Sequence, residues 1–112
     1  MTYDAYDVVV VPFPFTDRST SKRRPALVLS NPEVFNNRVG QSVLAMITTA
    51  KNSSWPLDTE ITDLDSAGLP SPSVVRMKLF TLDHKFIVRK VGSLVKRDKA
   101  SVKIAVHSLL NL

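Results

Sequence analysis

Short runs of apolar and β-branched residues recur along the chain and predict a protein built mainly from β-strands. The first run, DVVVVPFPF from Asp7 to Phe15, is rich in valine and is interrupted by Pro12 and Pro14. Because proline has no amide hydrogen for a sheet ladder, this strand is predicted to lie at an edge or to end in a bulge. The stretch Thr16–Arg24 has no apolar residue and predicts an exposed, mobile loop.

Five further segments are predicted to be strands, because they alternate between apolar and polar residues or are continuously apolar. In chain order they are ALVLS after Pro25, SVLAMITTA (Ser42–Ala50), LDTEIT (Leu57–Thr62), VVRMKLF (Val74–Phe80) and KFIVRKVGSL, which Gly92 closes. SVLAMITTA is almost entirely apolar and is therefore predicted to be central. In VVRMKLF, alternation places Val75, Met77 and Leu79 on one face and Arg76 and Lys78 on the other.

Two segments have the features of helices. In NPEVFNNRVGQ, Asn31 as a cap and Pro32 in the first position predict a helical turn that unwinds towards Gly40. The segment from about Lys96 to Leu110 has Asp98 near its start, where an acid suits the helix dipole. Its apolar residues have helical spacing: Val102, Ala105, Val106 and Leu109. Together the elements predict a mainly β fold, a small and strongly bent barrel with one C-terminal helix.

Composition narrows the class of protein. A chain of 112 residues predicts a single domain, 1–112, and the absence of cysteine excludes disulfides and thiolate metal sites. No His/Asp/Glu cluster has the spacing of metal ligands, so no cofactor is predicted. No apolar segment approaches the ~20 residues of a membrane helix. The acidic N-terminus lacks the basic region of a signal peptide, which favours a cytoplasmic protein without a membrane partner.

The net positive charge of the chain indicates an anionic binding partner. The chain has 15 Lys and Arg residues against 10 Asp and Glu, a net charge of +5, which is typical of proteins that bind an anion such as nucleic acid. Three of the cations, Lys22, Arg23 and Arg24, lead directly into Pro25 and the strand ALVLS. They form either a solvated loop or a site for an anionic ligand at the strand end.

Several separated segments together resemble the MazF/PemK/Kid family of toxin endoribonucleases. They are DVVVVPFPFTD, KRRPALVLS, AMITTA, AGLPSPSVVR and FTLD, followed by a strand ending RKVGSL, and they occur in the family's order over essentially the whole chain. The resemblance implies an SH3-like β-barrel of five to seven strands, a homodimer, and metal-independent, sequence-selective cleavage of single-stranded RNA. It also implies a cognate antitoxin whose flexible tail occupies the RNA-binding groove.

The resemblance assigns roles to residues that match the family's motifs. Arg24, just before Pro25, corresponds to a catalytic arginine, and Thr48, at the end of a central strand, corresponds to a catalytic threonine. Ser73 and Arg76 match positions that line the RNA site in relatives.

The remaining RNA-binding predictions rest on charge. Lys22 and Arg23 are expected to steer RNA towards the site, and Lys78 is expected to attract phosphate if it lies beside Arg76.

The chain departs from the family pattern at three positions. Lys78 stands where some relatives have an acid that is proposed as the general base. Tyr6 replaces a glycine before the acid of the first strand, and Phe80 replaces an arginine before TLD. The identity of the base is therefore open.

Cleavage of RNA makes three chemical demands on the residues of the site. RNA cleavage by 2′-hydroxyl attack needs a proton acceptor, a proton donor for the leaving oxygen and donors for the charge on the phosphorane. Arg24 suits the last task, but its permanent charge argues against a role as a base. Thr48 can hold the phosphate or the 2′-hydroxyl in line. The candidates left for proton transfer are His84, His107, Asp83 and Asp17.

Structural roles compete with these functional ones. Arg76 and Lys78 are also typical of a solvated strand face, Thr48 of a core hydroxyl, and Ser73 of a turn. Trp55 and Phe80 are candidates for stacking on RNA bases, although core or dimer packing is the alternative for Trp55. Two other functions remain open: a non-catalytic RNA- or DNA-binding barrel, and a gyrase-directed toxin of a related fold.

Overall fold

The computed structural model describes residues 2–13, 22–51 and 54–112. In these residues the strands are β1 (Asp7–Phe13), β2 (Lys22–Val28), β3 (Gln41–Thr49), β4 (Thr59–Glu60), β5 (Ser73–Asp83) and β6 (Arg89–Ser93). The helices are α1 (Asn37–Val39), α2 (Leu64–Ala67) and α3 (Lys96–Leu110), with a π-type turn at Pro32–Asn36 and a 3₁₀ turn at His84–Phe86.

Within the described residues the six strands form one curled antiparallel sheet, in the order β4-β5-β3-β2-β1-β6. The predicted fold class, a mainly β, SH3-like barrel of five to seven strands with one C-terminal helix, is thereby confirmed. The apolar segment SVLAMITTA is central as predicted, because β3 pairs with β2 on one side and β5 on the other.

Each face of the sheet carries its own hydrophobic core, because successive strand residues point to opposite faces. The helix-side core includes strand residues and two residues of α3: Val8, Leu27, Ile47, Val75, Val102 and Ala105. The opposite core is built from the alternate strand positions and from neighbouring segments: Tyr3, Val9, Val11, Ala26, Val28, Leu44, Leu82 and Ile87. The helix α3 therefore covers one face and leaves the other for different contacts.

The first strand does not lie at an edge, so that prediction is wrong. β1 lies between β2 and β6, and it continues through Pro12 to Phe13. The proline is tolerated because the described pairing with β6 ends at Val10, after which β1 is paired only with β2. A register shift does occur in β1, between Val8 and Val9 and not at the proline.

The second strand begins earlier than the sequence predicts. Lys22 pairs with Phe13 and Arg23 with Pro12, so the three cations lie in β2 and not in a loop. The longer β1 supplies backbone partners for these residues, which explains the difference. The rest of the predicted loop, residues 16–21, lies outside the described residues.

The helical predictions are largely confirmed. The side chain of Asn31 accepts hydrogen bonds from the backbone N–H groups of Glu33 and Val34, and the turn continues into α1 before it ends at Gly40, whose φ is 68°. Helix α3 spans the predicted Lys96–Leu110, but the prediction that Leu109 belongs to its buried apolar face is wrong, because Leu109 is exposed.

Two smaller predictions need correction. The strand predicted at Leu57–Thr62 is reduced to β4, because Pro56 and Leu57 form a turn, with Leu57 at a φ of 67°. Gly92 lies inside β6 and does not close it. It is required there because a Cβ atom at Gly92 would lie 2.3 Å from the carbonyl oxygen of Ser66.

Asp98 does more than complement a helix dipole. Its carboxylate is only 1% exposed and accepts hydrogen bonds from the backbone N–H of Thr62 at 3.0 Å, the hydroxyl of Thr62 at 2.8 Å and the backbone N–H of Asp63 at 3.2 Å. These bonds connect the start of α3 to the segment that follows β4. The side chain of Asp63 in turn caps α2, and this hydrogen bond to the backbone of Ser66 lowers the pKa of Asp63.

Tyr6 adopts the backbone conformation that a glycine would adopt freely. Its φ is 71°, in the left-handed region, and it stands where the resemblance predicts glycine. The strained position is held by two backbone hydrogen bonds, from Tyr6 N to Val28 O at 2.6 Å and from Leu94 N to Tyr6 O at 3.0 Å. Burial raises the pKa of the Tyr6 phenol.

Candidate active site

An opening between β2 and β3 forms the candidate site. The two strands pair at only three positions, and the last pair towards the site joins Ala26 to Met46. Pro25 follows, and since it has no amide hydrogen it cannot extend the ladder towards β3. Beyond this point Arg24 pairs with Val11 of β1 and Thr48 pairs with Val74 of β5, and both line the clefts between β2 and β3.

The opening contains two adjoining clefts that share Arg24, Ile47 and Thr48. The first has a volume of about 180 Å³ and is lined by Arg24, Pro25, Ile47, Thr48, Thr49, Leu69, Pro70, Ser71 and Ser73. The second has a volume of about 140 Å³ and is lined by Phe13, Arg24, Met46, Ile47, Thr48, Arg76 and Lys78. The structure therefore brings the two predicted catalytic residues together with three of the five predicted RNA-binding residues.

Strand alternation explains why the charged residues of the second cleft meet. Arg24 is two residues from Ala26, and Thr48 is four residues from Leu44, so both belong to the face of the opposite core. The same holds for Arg76, at an even spacing from Leu82. This face is the one that α3 does not cover, which leaves its polar end open to a ligand.

Arg76 is not a solvated side chain, so the structural alternative predicted for it is wrong. It is only 9% exposed and pairs with Asp58 at two points, from Nε to Oδ1 at 3.2 Å and from Nη2 to Oδ2 at 2.9 Å. Hydrogen bonding to the Asp58 carboxylate raises the pKa of Arg76 above its usual value. Lys78 is exposed, as the alternation predicts, and lines the same cleft.

Two exposed aromatic rings lie against the cations of the site. The guanidinium of Arg24 lies 6.0 Å from the centroid of the Phe13 ring. The ring of Trp55 lies 4.6 Å from the Lys78 ammonium and 5.6 Å from the Arg76 guanidinium. Phe80, the other stacking candidate, instead pairs with Leu44 and packs against the opposite core.

Sequence reasoning missed Phe13 and Asp58 as neighbours of the site. The signal for Phe13 was its place in the DVVVVPFPF motif, but Pro12 had suggested that the strand stopped before it. Asp58 followed a turn signal, Trp55–Leu57, without any indication that it would reach Arg76. The pairing of β4 with β5 brings Asp58, which precedes β4, close to Arg76 in β5.

The remaining predicted RNA-binding residues lie around the clefts in different ways. Ser73, the first residue of β5, is buried and lines the first cleft, and its hydroxyl donates to the carbonyl of Ser71 at 2.9 Å. Lys22 and Arg23 are exposed on β2 and line neither cleft. They lie beside the opening, next to Arg24.

The predicted candidates for proton transfer do not lie in the clefts. His84 Nε2 is 2.7 Å from the hydroxyl of Ser42, at the other end of β3 from Thr48, about 20 Å away along a strand. Asp83 pairs with Gln41 at that same end and caps the following turn.

His107 is exposed on α3, and Asp17 lies outside the described residues. Among the described residues that line the two clefts, none is a carboxylate or a histidine.

In residues 2–13, 22–51 and 54–112, no three His, Cys, Asp or Glu side chains are grouped in a way that would hold a metal ion. In the same ranges, none of the helices combines the length and the apolar character needed to cross a membrane.

Comparison with known families gives a match over almost the whole chain. Residues 4–110 match the family described as PemK-like, MazF-like toxin of type II toxin–antitoxin system. This is the family that the sequence motifs resemble. Among curated proteins, no sequence matches this chain.

Solved structures share the fold. MazF from Deinococcus radiodurans has a TM-score of 0.76 at 23% identity, with 100% of this chain and 99% of that chain covered. A MazE–MazF complex from the same organism (Form III) has a TM-score of 0.77 at 24% identity, with coverage of 100% and 99%. An endoribonuclease in complex with its cognate antitoxin from a mycobacterial species has a TM-score of 0.76 at 16% identity, with coverage of 99% and 95%.

Proposed function

The chain belongs to the PemK-like, MazF-like toxins of type II toxin–antitoxin systems, and on this basis we propose that it is a metal-independent endoribonuclease that cleaves single-stranded RNA. The observation that carries the proposal is the position of Arg24 and Thr48 in the opening between β2 and β3. Arg76 and Lys78 add positive charge to the same opening. A site of this composition suits a phosphodiester.

Arg24 has the main electrostatic role in the proposal. Its guanidinium presents a planar set of donors that matches the oxygens of a phosphate. A phosphorane formed by attack of the 2′-hydroxyl carries more negative charge on these oxygens than the starting phosphodiester does. Donors fixed beside them therefore stabilise the transition state more than the ground state.

Thr48 has a positioning role. Its hydroxyl lies at the junction of the two clefts, where it can hydrogen-bond the phosphate or the 2′-hydroxyl. In-line attack needs the 2′-oxygen, the phosphorus and the leaving 5′-oxygen to be aligned. Holding a flexible single strand in that geometry is itself a large part of the rate enhancement.

Proton transfer is the step for which the described clefts offer no carboxylate or histidine of their own. Among the described residues, Asp58 is a carboxylate that contacts a cleft residue, through its pair with Arg76. This observation favours a second candidate function, an RNA-binding barrel of the same fold that does not cut. The two functions share the binding surface and differ only in whether the bound phosphodiester is broken.

We also propose that the protein acts in the cytoplasm as a homodimer that a cognate antitoxin neutralises. The structural neighbours include toxins solved together with their antitoxins. A cationic opening that binds RNA phosphates also suits an acidic peptide tail, since both present a row of anions. Competition between an antitoxin tail and RNA at Arg24 and Lys78 would keep the toxin inactive.

The test is to map the ends produced from a defined single-stranded RNA in the presence of a metal chelator. The proposal predicts discrete cuts that leave a 2′,3′-cyclic phosphate and a 5′-hydroxyl. A protein that binds the RNA and leaves it intact would be the non-catalytic barrel instead. Cleavage that the chelator abolishes would contradict metal independence.

A further inference from the structure

Trp55 is the exposed aromatic ring whose position the proposed catalytic roles leave unexplained. The side chain is 42% exposed and belongs to neither of the two hydrophobic cores. A tryptophan ring that is exposed beside a cluster of cations is well placed to contact an anionic aromatic ligand.

The backbone of Trp55 is held in place by its own turn. The backbone N–H of Asp58 donates to the carbonyl of Trp55 at 3.1 Å, and the backbone N–H of Trp55 donates to the Asp58 carboxylate at 3.1 Å. Leu57, the third residue of this turn, has a φ of 67°, a conformation that β-turns of this type normally give to glycine. The same Asp58 carboxylate binds Arg76, so one side chain fixes both the tryptophan and the arginine.

The neighbours of the ring connect it to the candidate active site. Lys78 and Arg76, whose charges lie 4.6 Å and 5.6 Å from the ring centroid, both line the cleft that contains Arg24 and Thr48. A nucleotide bound at this cleft would therefore have its phosphate near Lys78 and its base within reach of Trp55.

We propose that Trp55 is a stacking platform for one base of a single-stranded RNA, next to the phosphate-binding cations Lys78 and Arg76. The inference rests on the proposed function, because it assumes that RNA occupies the cleft. A base stack on tryptophan is worth more than an exposed cation–π contact. An incoming nucleotide therefore displaces the Lys78 ammonium from the ring and offers it a phosphate in exchange.

The charge around Trp55 favours RNA over a second copy of the chain as the occupant. The ring is flanked by two cations, and the protein carries a net charge of +5. A second copy would bring further positive charge to this surface, whereas RNA brings a base and a phosphate together. Stacking is tolerant of base identity, so the platform contributes affinity more than selectivity.

The chain carries a built-in probe for this contact, since Trp55 is its single tryptophan. The experiment titrates the wild-type protein with a short single-stranded RNA made resistant to cleavage by 2′-O-methyl groups, while tryptophan fluorescence is recorded. We expect quenching that saturates with the binding of the RNA. Unchanged fluorescence at saturating RNA, with binding verified by the anisotropy of a labelled oligonucleotide, would overturn the proposal.

Substitutions of Trp55 measure how much the stacked base contributes to RNA affinity. Trp55→Ala is expected to weaken binding of the labelled oligonucleotide by about 5- to 150-fold, the value of one stacked base, and Trp55→Phe is expected to retain most of the affinity. Ile104→Ala, which removes an exposed apolar side chain from α3, is the control and should leave the affinity unchanged. If Trp55→Ala binds as tightly as the wild type, the proposal is wrong.

Other outcomes of these experiments distinguish base stacking by Trp55 from a role in dimerisation and from RNA cleavage itself. Loss of dimerisation in Trp55→Ala with unchanged RNA affinity would assign the ring to an interface between copies and overturn the platform. A protein that cuts RNA without fluorescence quenching would also overturn the platform while it supports the proposed function. A protein whose fluorescence is quenched by RNA that it cannot cut would keep the platform and overturn the catalytic proposal.

Discussion

The carboxylate of Asp58 holds the guanidinium of Arg76 at two points, 3.2 Å from Nε and 2.9 Å from Nη2. The family resemblance predicts an acid two positions further along the same strand, where this chain has Lys78. Here an acid reaches the arginine from the turn before β4. The site therefore retains an acid next to Arg76 although the sequence motif lacks one.

This pair leads to a prediction about stability. Asp58→Ala is expected to lower the midpoint of thermal unfolding, because it leaves a mostly buried guanidinium without its carboxylate. Glu60→Ala is the control, since it removes an exposed acid of the neighbouring strand β4, and exposed charges contribute little to stability. Equal effects of the two substitutions would show that the Asp58–Arg76 pair adds no more than a surface contact.

Asp98 is expected to be one of the most important side chains for stability. Asp98→Ala leaves the N–H groups of Thr62 and Asp63 without their carboxylate, and the free energy of unfolding should fall by about 2–4 kcal/mol. The measurement is urea denaturation followed by circular dichroism. Asp65→Ala, at an exposed acid of α2, should change the stability by less than about 0.5 kcal/mol. If Asp98→Ala lowers the free energy of unfolding by less than about 0.5 kcal/mol, the stabilising role of its hydrogen bonds to Thr62 and Asp63 is contradicted.

The exposed cations of β2 are expected to act through long-range attraction. Lys22→Ala should raise KM for RNA and reduce the salt dependence of binding by about 0.7 in the slope of log K against log salt, the value for one phosphate contact on a single strand. Lys96→Ala, at an exposed lysine of α3, is the control and should leave the slope unchanged. Equal slopes for all three proteins would contradict a contact between Lys22 and RNA.

Features that depend only on consecutive residues could be predicted from the sequence. Helix α3 has the predicted bounds, because its apolar spacing is a property of consecutive residues. Arg24 and Thr48 are predicted as site residues from short motifs that each lie largely within one strand, β2 or β3. The structure adds that β2 and β3 separate there, so that both residues line one opening.

Features that depend on pairing between distant segments could not be predicted. The contact between Asp58 and Arg76 requires the register of β4 on β5, which no local pattern in either segment specifies. The passage of β1 through Pro12 was missed for a similar reason, because it depends on where β6 stops pairing. The burial of Arg76 follows from the same long-range contacts.

The claim that Arg24 and Thr48 form a ribonuclease site is tested most directly by the rate at which variants cut one defined single-stranded RNA. With metal chelated and RNA saturating, Arg24→Ala is expected to cut at least about 10²- to 10³-fold more slowly than the wild type, the value of a lost transition-state donor. Thr48→Ala should also be slow, whereas Thr48→Ser keeps the hydroxyl and should retain most of the rate.

Arg38→Ala, which removes an exposed arginine of α1 away from both clefts, is the control for loss of charge. The account predicts that Arg38→Ala cuts at the wild-type rate while Arg24→Ala is folded, binds RNA and hardly cuts. A folded Arg24→Ala protein that cuts as fast as the wild type would contradict the assignment of the site.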